Sequence, residues 1–333
     1  MTHIFRWDLD KTYLRTEFDT LGDIVRTALQ TAEEKTNIPG TATLMRELRR
    51  TPDGTQNRIH IVSGSPRQLR RVLLRKLQLD GAEIDSLTLK PNLRNILRLR
   101  FRAIRDQLGY KLPTLLEARR KVEQPWTETC FGDDAEMDGI VYSLYSDICA
   151  GRIRGDALDR ILHVARLYPD QEERIRQCAS ELPCFDPVER VLIHLETGSP
   201  TSRFTPLWPL VVPTFNTFQT ALVLYADDRL TAESVGRVSQ SMIDNYGYDG
   251  TRLQYSVDDA VRRGIVSARQ VQVICDRQGL QPPKPRITLE TAHKTPDYVS
   301  LIKEVHEWQQ SRKAVRKASP RGLAQILGLD RRS

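Results

Sequence analysis

Hydrophobic positions along the chain fall into two patterns. Short apolar runs bounded by polar turns recur at Ile4–Trp7, Arg58–Val62, Ile84–Lys90, Trp126–Phe131 and Val188–Glu196. Runs of that length, rich in β-branched and aromatic residues, predict buried strands. Between them the spacing changes to three and four residues. Leu21, Ile24, Val25 and Leu29, then Leu44, Met45 and Leu48, predict two helices between Leu14 and Arg50, parted at Asn37-Ile38-Pro39-Gly40. Arg67–Leu79 reads as an amphipathic helix and Asn92–Gln107 as a basic one. Another helix, headed by Lys111, runs through Leu115, Leu116 and Ala118. Ile140, Val141, Leu144 and Tyr145 give the buried face of the next, and Arg152–Leu182 is helical again.

Strands that alternate with helices imply an α/β fold, a Rossmann-like parallel sheet flanked by helices. Val188–Glu196 reads as its last strand, and Thr197-Gly198-Ser199-Pro200 as a boundary. The expected organisation is a domain over 1–200, with a helical insertion at about 152–183, and a mostly helical region over 201–333. In that second region Pro206–Ala226 suits a buried helix with a proline-rich lead-in. Val235–Ile243 and Val257–Gln278 read as helices, Gln281–Pro285 as a linker, and Tyr298–Lys317 as a charged helix before a basic tail.

Composition narrows the class. The chain has 333 residues, room for about two domains that each bury a core. It contains no apolar stretch of about 18 residues that would span a membrane. The N-terminus lacks the basic and apolar sequence of a secretory leader. Five cysteines at 130, 149, 178, 184 and 275 show no C-x-x-C spacing, so a reducing cytoplasm is expected, without disulfides or zinc. The net charge of +7 is concentrated in two places. Arg67–Arg105 holds eleven basic residues against three acids, and Arg312–Arg332 holds seven against one. Such clusters attract phosphates, nucleic acid or anionic membrane, although a solvated helix face accounts for any one of them.

The chemistry begins where the first apolar run stops. Asp8-Leu9-Asp10-Lys11-Thr12 presents two carboxylates one residue apart, which an extended backbone would direct to the same side. Like charges so close raise one another's pKa unless a cation offsets them, and Mg²⁺ does so with carboxylates, water and phosphate oxygens. One Asp can then attack phosphorus while the other handles the proton. The bland reading is a strand followed by a polar turn. Ser63-Gly64-Ser65-Pro66 ends the second run and precedes a helix, a good position for holding a phosphate oxygen. Gly132-Asp133-Asp134-Ala135-Glu136-Met137-Asp138 then crowds acids at the end of another strand, again costly without a cation.

In order, the chain offers D-x-D-x-T, a strand-terminal serine, a helix-leading lysine and G-D-x-x-x-x-D. This resembles the four motifs of the haloacid dehalogenase (HAD) superfamily of phosphotransferases. Ser-Gly-Ser-Pro-x-x-Leu, Tyr-Lys-Leu-x-x-Leu-Leu and Gly-Asp-Asp-x-x-x-Asp-x-x-x-Tyr look like one branch of it. That branch is the catalytic domain of actin-patch-associated phosphatidate phosphatases, with its uncharacterised bacterial relatives. The resemblance covers roughly residues 1–150 and implies a HAD-like fold without a large cap. It implies that Asp8 is the nucleophile, Asp10 the acid and base, and Thr12 a brace for their loop. Ser63, with Gly64, would bind a phosphoryl oxygen, and Lys111 would neutralise the phosphoryl group and the nucleophile. Mg²⁺ would be held by Asp8, Asp10 through its carbonyl, and Asp133 or Asp134, with Asp138 supporting it or orienting Lys111. Asp134 stands where the branch usually has Ser, and Lys11 where it more often has Asp.

The resemblance therefore implies a Mg²⁺-dependent phosphomonoester hydrolase acting through an aspartyl-phosphate. Arg94, Arg98 and Arg105 share a predicted helix face and would bind a polyanionic phosphorylated substrate, phosphatidate on an anionic membrane among them. Two alternatives stand beside it. A nucleic-acid end-processing phosphatase suits the basic clusters, which lack interleaved aromatics for base stacking. A non-catalytic binding protein on the same scaffold would not require every motif residue.

Overall fold

A computed structural model describes residues 2–15, 31–49, 56–90, 104–122, 125–135, 137–284 and 294–307. Six strands form one sheet in the order β3-β2-β1-β4-β5-β6: β1 (Ile4–Trp7), β2 (Arg58–Pro66), β3 (Ser86–Lys90), β4 (Glu128–Asp133), β5 (Val188–His194) and β6 (Val211–Thr214). Every neighbouring pair is parallel. The chain thus winds outward through β2 and β3 on one side, then through β4, β5 and β6 on the other. The order reverses between β1 and β4, and in such sheets the crevice beyond the strands' carboxyl ends at that reversal is where ligands bind.

Helices cover both faces. Val62, Cys130, Val191, Ile193 and Val211 meet α3 (Ile104–Arg120), α4 (Asp138–Cys149), α5 (Gly155–Ala165) and α6 (Pro169–Glu181). The alternate positions Phe5, Trp7, Ile61, Phe131, Leu192 and Val212 meet the other set. These are α1 (Thr41–Arg49), α2 (Arg70–Leu79), α7 (Thr217–Ala226), α8 (Ala232–Tyr246), α9 (Gly250–Arg262) and α10 (Ala268–Gln278). Strand side chains alternate faces, so one run of apolar residues feeds both cores. Each fully buried Phe or Leu contributes about 1.5–3 kcal/mol of transfer free energy. A helix over 298–307 returns to the α4 side, where Tyr298 donates a 2.6 Å hydrogen bond to buried Asp147.

Several expectations change. Val188–Glu196 is not the last strand, because the chain passes the proposed boundary near 200 and adds β6 to the same sheet. Val211-Val212-Pro213-Thr214 falls in the proline-rich lead-in expected before a buried helix and is instead a strand. On an edge strand, however, the missing N–H of Pro213 costs no ladder bond. The helices α7–α10 share their apolar cluster with β1 and β2 rather than forming a core of their own. Lys111 lies inside α3, not at its head. Within the expected pair of helices from Leu14 to Arg50, residues 31–40 are turns and α1 alone is helical, while 16–30 lie outside the described residues. So do Arg94, Arg98, the side chain of Arg105 and the basic tail. Among the described residues no helix is long and apolar enough to cross a membrane.

Candidate active site

The site is built at the β1/β4 reversal. The N–H of Asp8 continues the pairing with β4 by donating to the carbonyl of Phe131 at 2.9 Å. The chain then folds into a tight turn, with Tyr13 and Leu14 both donating to the carbonyl of Leu9. Lys11 takes a left-handed conformation with φ of 59°. Such backbone is costly for a residue with a Cβ and is tolerated only where the surroundings fix it.

The turn gives the two acids different partners. Asp8 is buried, and its Oδ1 lies 3.4 Å from Nζ of Lys111. Lys111 also ion-pairs with Asp138 and is itself buried. It shares a stripe of α3 with Leu108, Leu112 and Leu115, which directs a charged side chain to the sheet side of an otherwise apolar helix face. Asp10 is held elsewhere: its Oδ2 accepts from the hydroxyls of Ser63 at 3.1 Å and Ser65 at 2.7 Å. An extended backbone was expected to direct Asp8 and Asp10 to the same side; in the structure Asp8 lies beside Lys111 and Asp10 rests on Ser63 and Ser65. Ser63 is fully buried, and its hydroxyl also accepts from the N–H of Ser65 at 2.9 Å. Gly64, between them, faces space in which an added Cβ would meet nothing within 4 Å. The Thr12 side chain is buried and borders a cavity of about 20 Å³ together with Trp7 and Thr41.

Asp8, Asp133 and Asp138 offer carboxylate oxygens within 4.8 Å of one another. Buried acids this close repel one another, which low dielectric makes expensive and a divalent cation offsets. The donors are all hard oxygens, the set that suits Mg²⁺. Asp133 is fixed by the N–H of Ala135, which donates to its Oδ1 at 2.5 Å, and its own N–H donates to Oδ2 of Asp138 at 3.2 Å. The choice between Asp133 and Asp134 is geometric. The Asp134 carboxylate accepts from the N–H and hydroxyl of Thr197 and the N–H of Ser199, each at 2.8 Å. It clamps the loop after β5 and stands outside the cluster. Burial, reinforced by Asp138, pushes the phenol of Tyr142 well above its ordinary value, so it stays neutral beside the acids.

Three contributors were missed by the sequence reading. Ser65 was legible, since Ser63 and Ser65 alternate onto one face of the strand end. Gly132 makes room for Asp138: an added Cβ would lie 2.4 Å from the Asp138 Cβ. Lys35 is also buried; burial lowers its pKa, and the Asp10 charge opposes that shift. Comparison of the chain with family models, curated proteins and solved structures finds no match in any of the three.

Proposed function

We propose that this chain is a Mg²⁺-dependent phosphomonoester hydrolase working through a covalent phosphate on Asp8. The observation that carries the reading is the division of labour between the acids. Lys111 joins Asp8 to Asp138 beside Asp133, while Asp10 rests on two serine hydroxyls. An Asp8 oxygen attacks phosphorus, with Lys111 offsetting the charge that gathers there. As the ester P–O bond breaks, Asp10 gives its proton to the leaving oxygen. Asp10 then takes a proton from water, whose oxygen attacks the same phosphorus and returns Asp8 as a carboxylate with release of inorganic phosphate. Ser63 and Ser65 fix the orientation of Asp10 for both transfers. Mg²⁺, held by Asp8, Asp133 and the backbone of Asp10 with Asp138 in support, would neutralise the phosphoryl oxygens. Phosphoryl transfer needs mainly such positioning and charge.

For substrate, we favour phosphatidate or another polyanionic phosphate ester, because Arg67, Arg70, Arg71 and Arg75 line an open concave surface beginning where β2 ends. The five free cysteines, four of them buried, suit a cytoplasmic setting. The test is phosphate release, with and without Mg²⁺, from phosphatidate vesicles, a sugar phosphate, a phosphopeptide, a 3′-phosphorylated oligonucleotide and an aryl phosphate. We expect Mg²⁺-dependent hydrolysis that Asp8→Asn lowers on the order of 10³-fold or more. Unchanged turnover in Asp8→Asn removes the mechanism, and a preference for the oligonucleotide would favour nucleic-acid end processing.

A further inference from the structure

Tyr13 belongs to none of the motifs, yet it closes the turn that carries both acids. The N–H of Lys11 donates to the carbonyl of Leu14 at 2.8 Å, and those of Tyr13 and Leu14 to the carbonyl of Leu9 at 3.0 and 2.9 Å. Left-handed Lys11 sits inside this turn, so the turn keeps its shape only with support from its surroundings. The Tyr13 side chain reaches such support. Its ring is fully buried and edge-on to Trp7, and its hydroxyl donates to Oδ2 of Asp80 at 2.7 Å. Asp80 directly follows α2 and is itself fixed. Asn37 donates to the same oxygen at 2.9 Å, and Lys76 donates to Oδ1 of Asp80 and Oδ1 of Asn37, each at 2.5 Å. Burial, and then Asp80, push the Tyr13 phenol far above its ordinary value, so it keeps its proton and stays a donor.

The turn is thus gripped from both ends of one helix. Ahead of α2, Ser63 and Ser65 donate to Asp10 at 3.1 and 2.7 Å, and behind it Asp80 accepts from Tyr13. Asp8 depends less on this frame, because its N–H pairs with Phe131 of β4 and its carboxylate lies beside Lys111. Asp10 lies beyond β1 and bridges Leu14 within the turn. We propose that Tyr13, through its bond to Asp80, is a positioning residue that holds Asp10 where it passes its proton to the ester oxygen. That proton leaves Asp10 as the P–O bond breaks. A poorly held Asp10 therefore harms most the esters whose leaving oxygen is strongly basic. This inference rests on the phosphatase reading.

The experiment compares Tyr13→Phe with Tyr145→Phe in the full chain with Mg²⁺. Tyr145 is the control because its hydroxyl also donates to a buried carboxylate, that of Glu128 at 2.8 Å, at the opposite end of β4 from Asp133. For glycerol phosphate and 4-nitrophenyl phosphate we measure kcat/KM, which reports formation of the phospho-enzyme. Thermal melting and hydrogen exchange of residues 8–14 are followed beside it. Tyr13→Phe should lower kcat/KM about 30-fold on the alkyl ester and about threefold on the aryl ester, and should speed exchange in the turn. Tyr145→Phe should leave the ratio of the two esters and that exchange as they are, whatever it does to melting. An unchanged ester ratio in Tyr13→Phe overturns the role, and so does an equal shift in Tyr145→Phe. A wild type that hydrolyses neither ester fails the phosphatase reading instead. Exchange in the turn then decides by itself whether Tyr13 holds the segment of Asp10, and equal exchange in the two variants overturns it.

Discussion

Arg6 and Asp8 stand two residues apart at the centre of one sheet, and each anchors a buried ionic cluster of opposite character. At Arg6 the network is closed. Both oxygens of Glu128 are taken, Oε2 by Nε of Arg6 at 2.5 Å and the hydroxyl of Tyr145 at 2.8 Å, Oε1 by Nη2 of Arg6 at 2.8 Å and Arg119 at 3.0 Å. Burial alone would raise the pKa of Glu128, but the Arg6 charge and its hydrogen bonds hold it below the usual carboxylate range. At Asp8 the balance is different: three acids, Asp8, Asp133 and Asp138, gather with Lys111. A satisfied network has its place in holding the fold. Acids gathered in low dielectric at the carboxyl ends of strands are the arrangement that a cation and an anionic substrate can exploit.

The contrast can be broken most directly by mutation. Glu128→Ala should lower stability by about 3–5 kcal/mol in denaturant unfolding, because two guanidinium groups lose their buried partner. Asp8→Asn removes one of several like charges and should leave the unfolding midpoint unchanged or raise it. A comparable loss in both variants would mean the Asp8 cluster is structural too.

A smaller effect sharpens the same difference. Mg²⁺ at a hundred times its dissociation constant should stabilise the wild type by about 2.7 kcal/mol through mass action. Gly132→Ala should abolish that response, since the new Cβ would lie 2.4 Å from that of Asp138 and displace it. Glu128→Gln, which leaves the acid cluster untouched, should keep it. A Gly132→Ala protein that still answers to Mg²⁺ would exclude Asp138 from the site.

The smallest expected effect concerns pH and the strand's other end. His3 packs against Thr127 and Thr129, each hydroxyl 2.9 Å from a ring nitrogen. Burial, and then Arg229, push its pKa down from 6.5 to about 3. Above pH 6.5 neither state carries the proton. As pH falls below that, the unfolded chain binds it first, so stability declines progressively and levels only near the folded value. Between pH 6.5 and 5 the loss from this one group is about 2 kcal/mol. His3→Gln should flatten that part of the pH–stability curve, with His60, lowered to about 4, accounting for a remaining slope. An unaltered slope would remove His3 as a contributor.

Much of the sheet was legible because run length and periodicity report local burial. β1, β2, β4 and β5 coincide with apolar runs, and α2, α4 and α8 with three- and four-residue spacing. β6 was not, since four residues containing a proline resemble a turn until an edge position removes the need for that N–H. Asp8, Asp10, Ser63 and the acids of 133–138 stand at the ends of apolar runs, whereas Lys111 stands out only by its order among motifs that resemble the HAD superfamily. Which acid met which partner could not be read the same way. Asp134 differs from Asp133 only by facing Thr197 and Ser199, more than sixty residues on. Lys35, near two glutamates, carries the local pattern of a solvated turn yet is buried, in a segment whose Asn37 meets the distant Asp80 together with Tyr13. Sequence determined where charged groups emerge from the sheet, because strand and helix patterns are local. Tertiary structure decided which of them share a dielectric pocket, because that depends on distances between segments that no local pattern encodes.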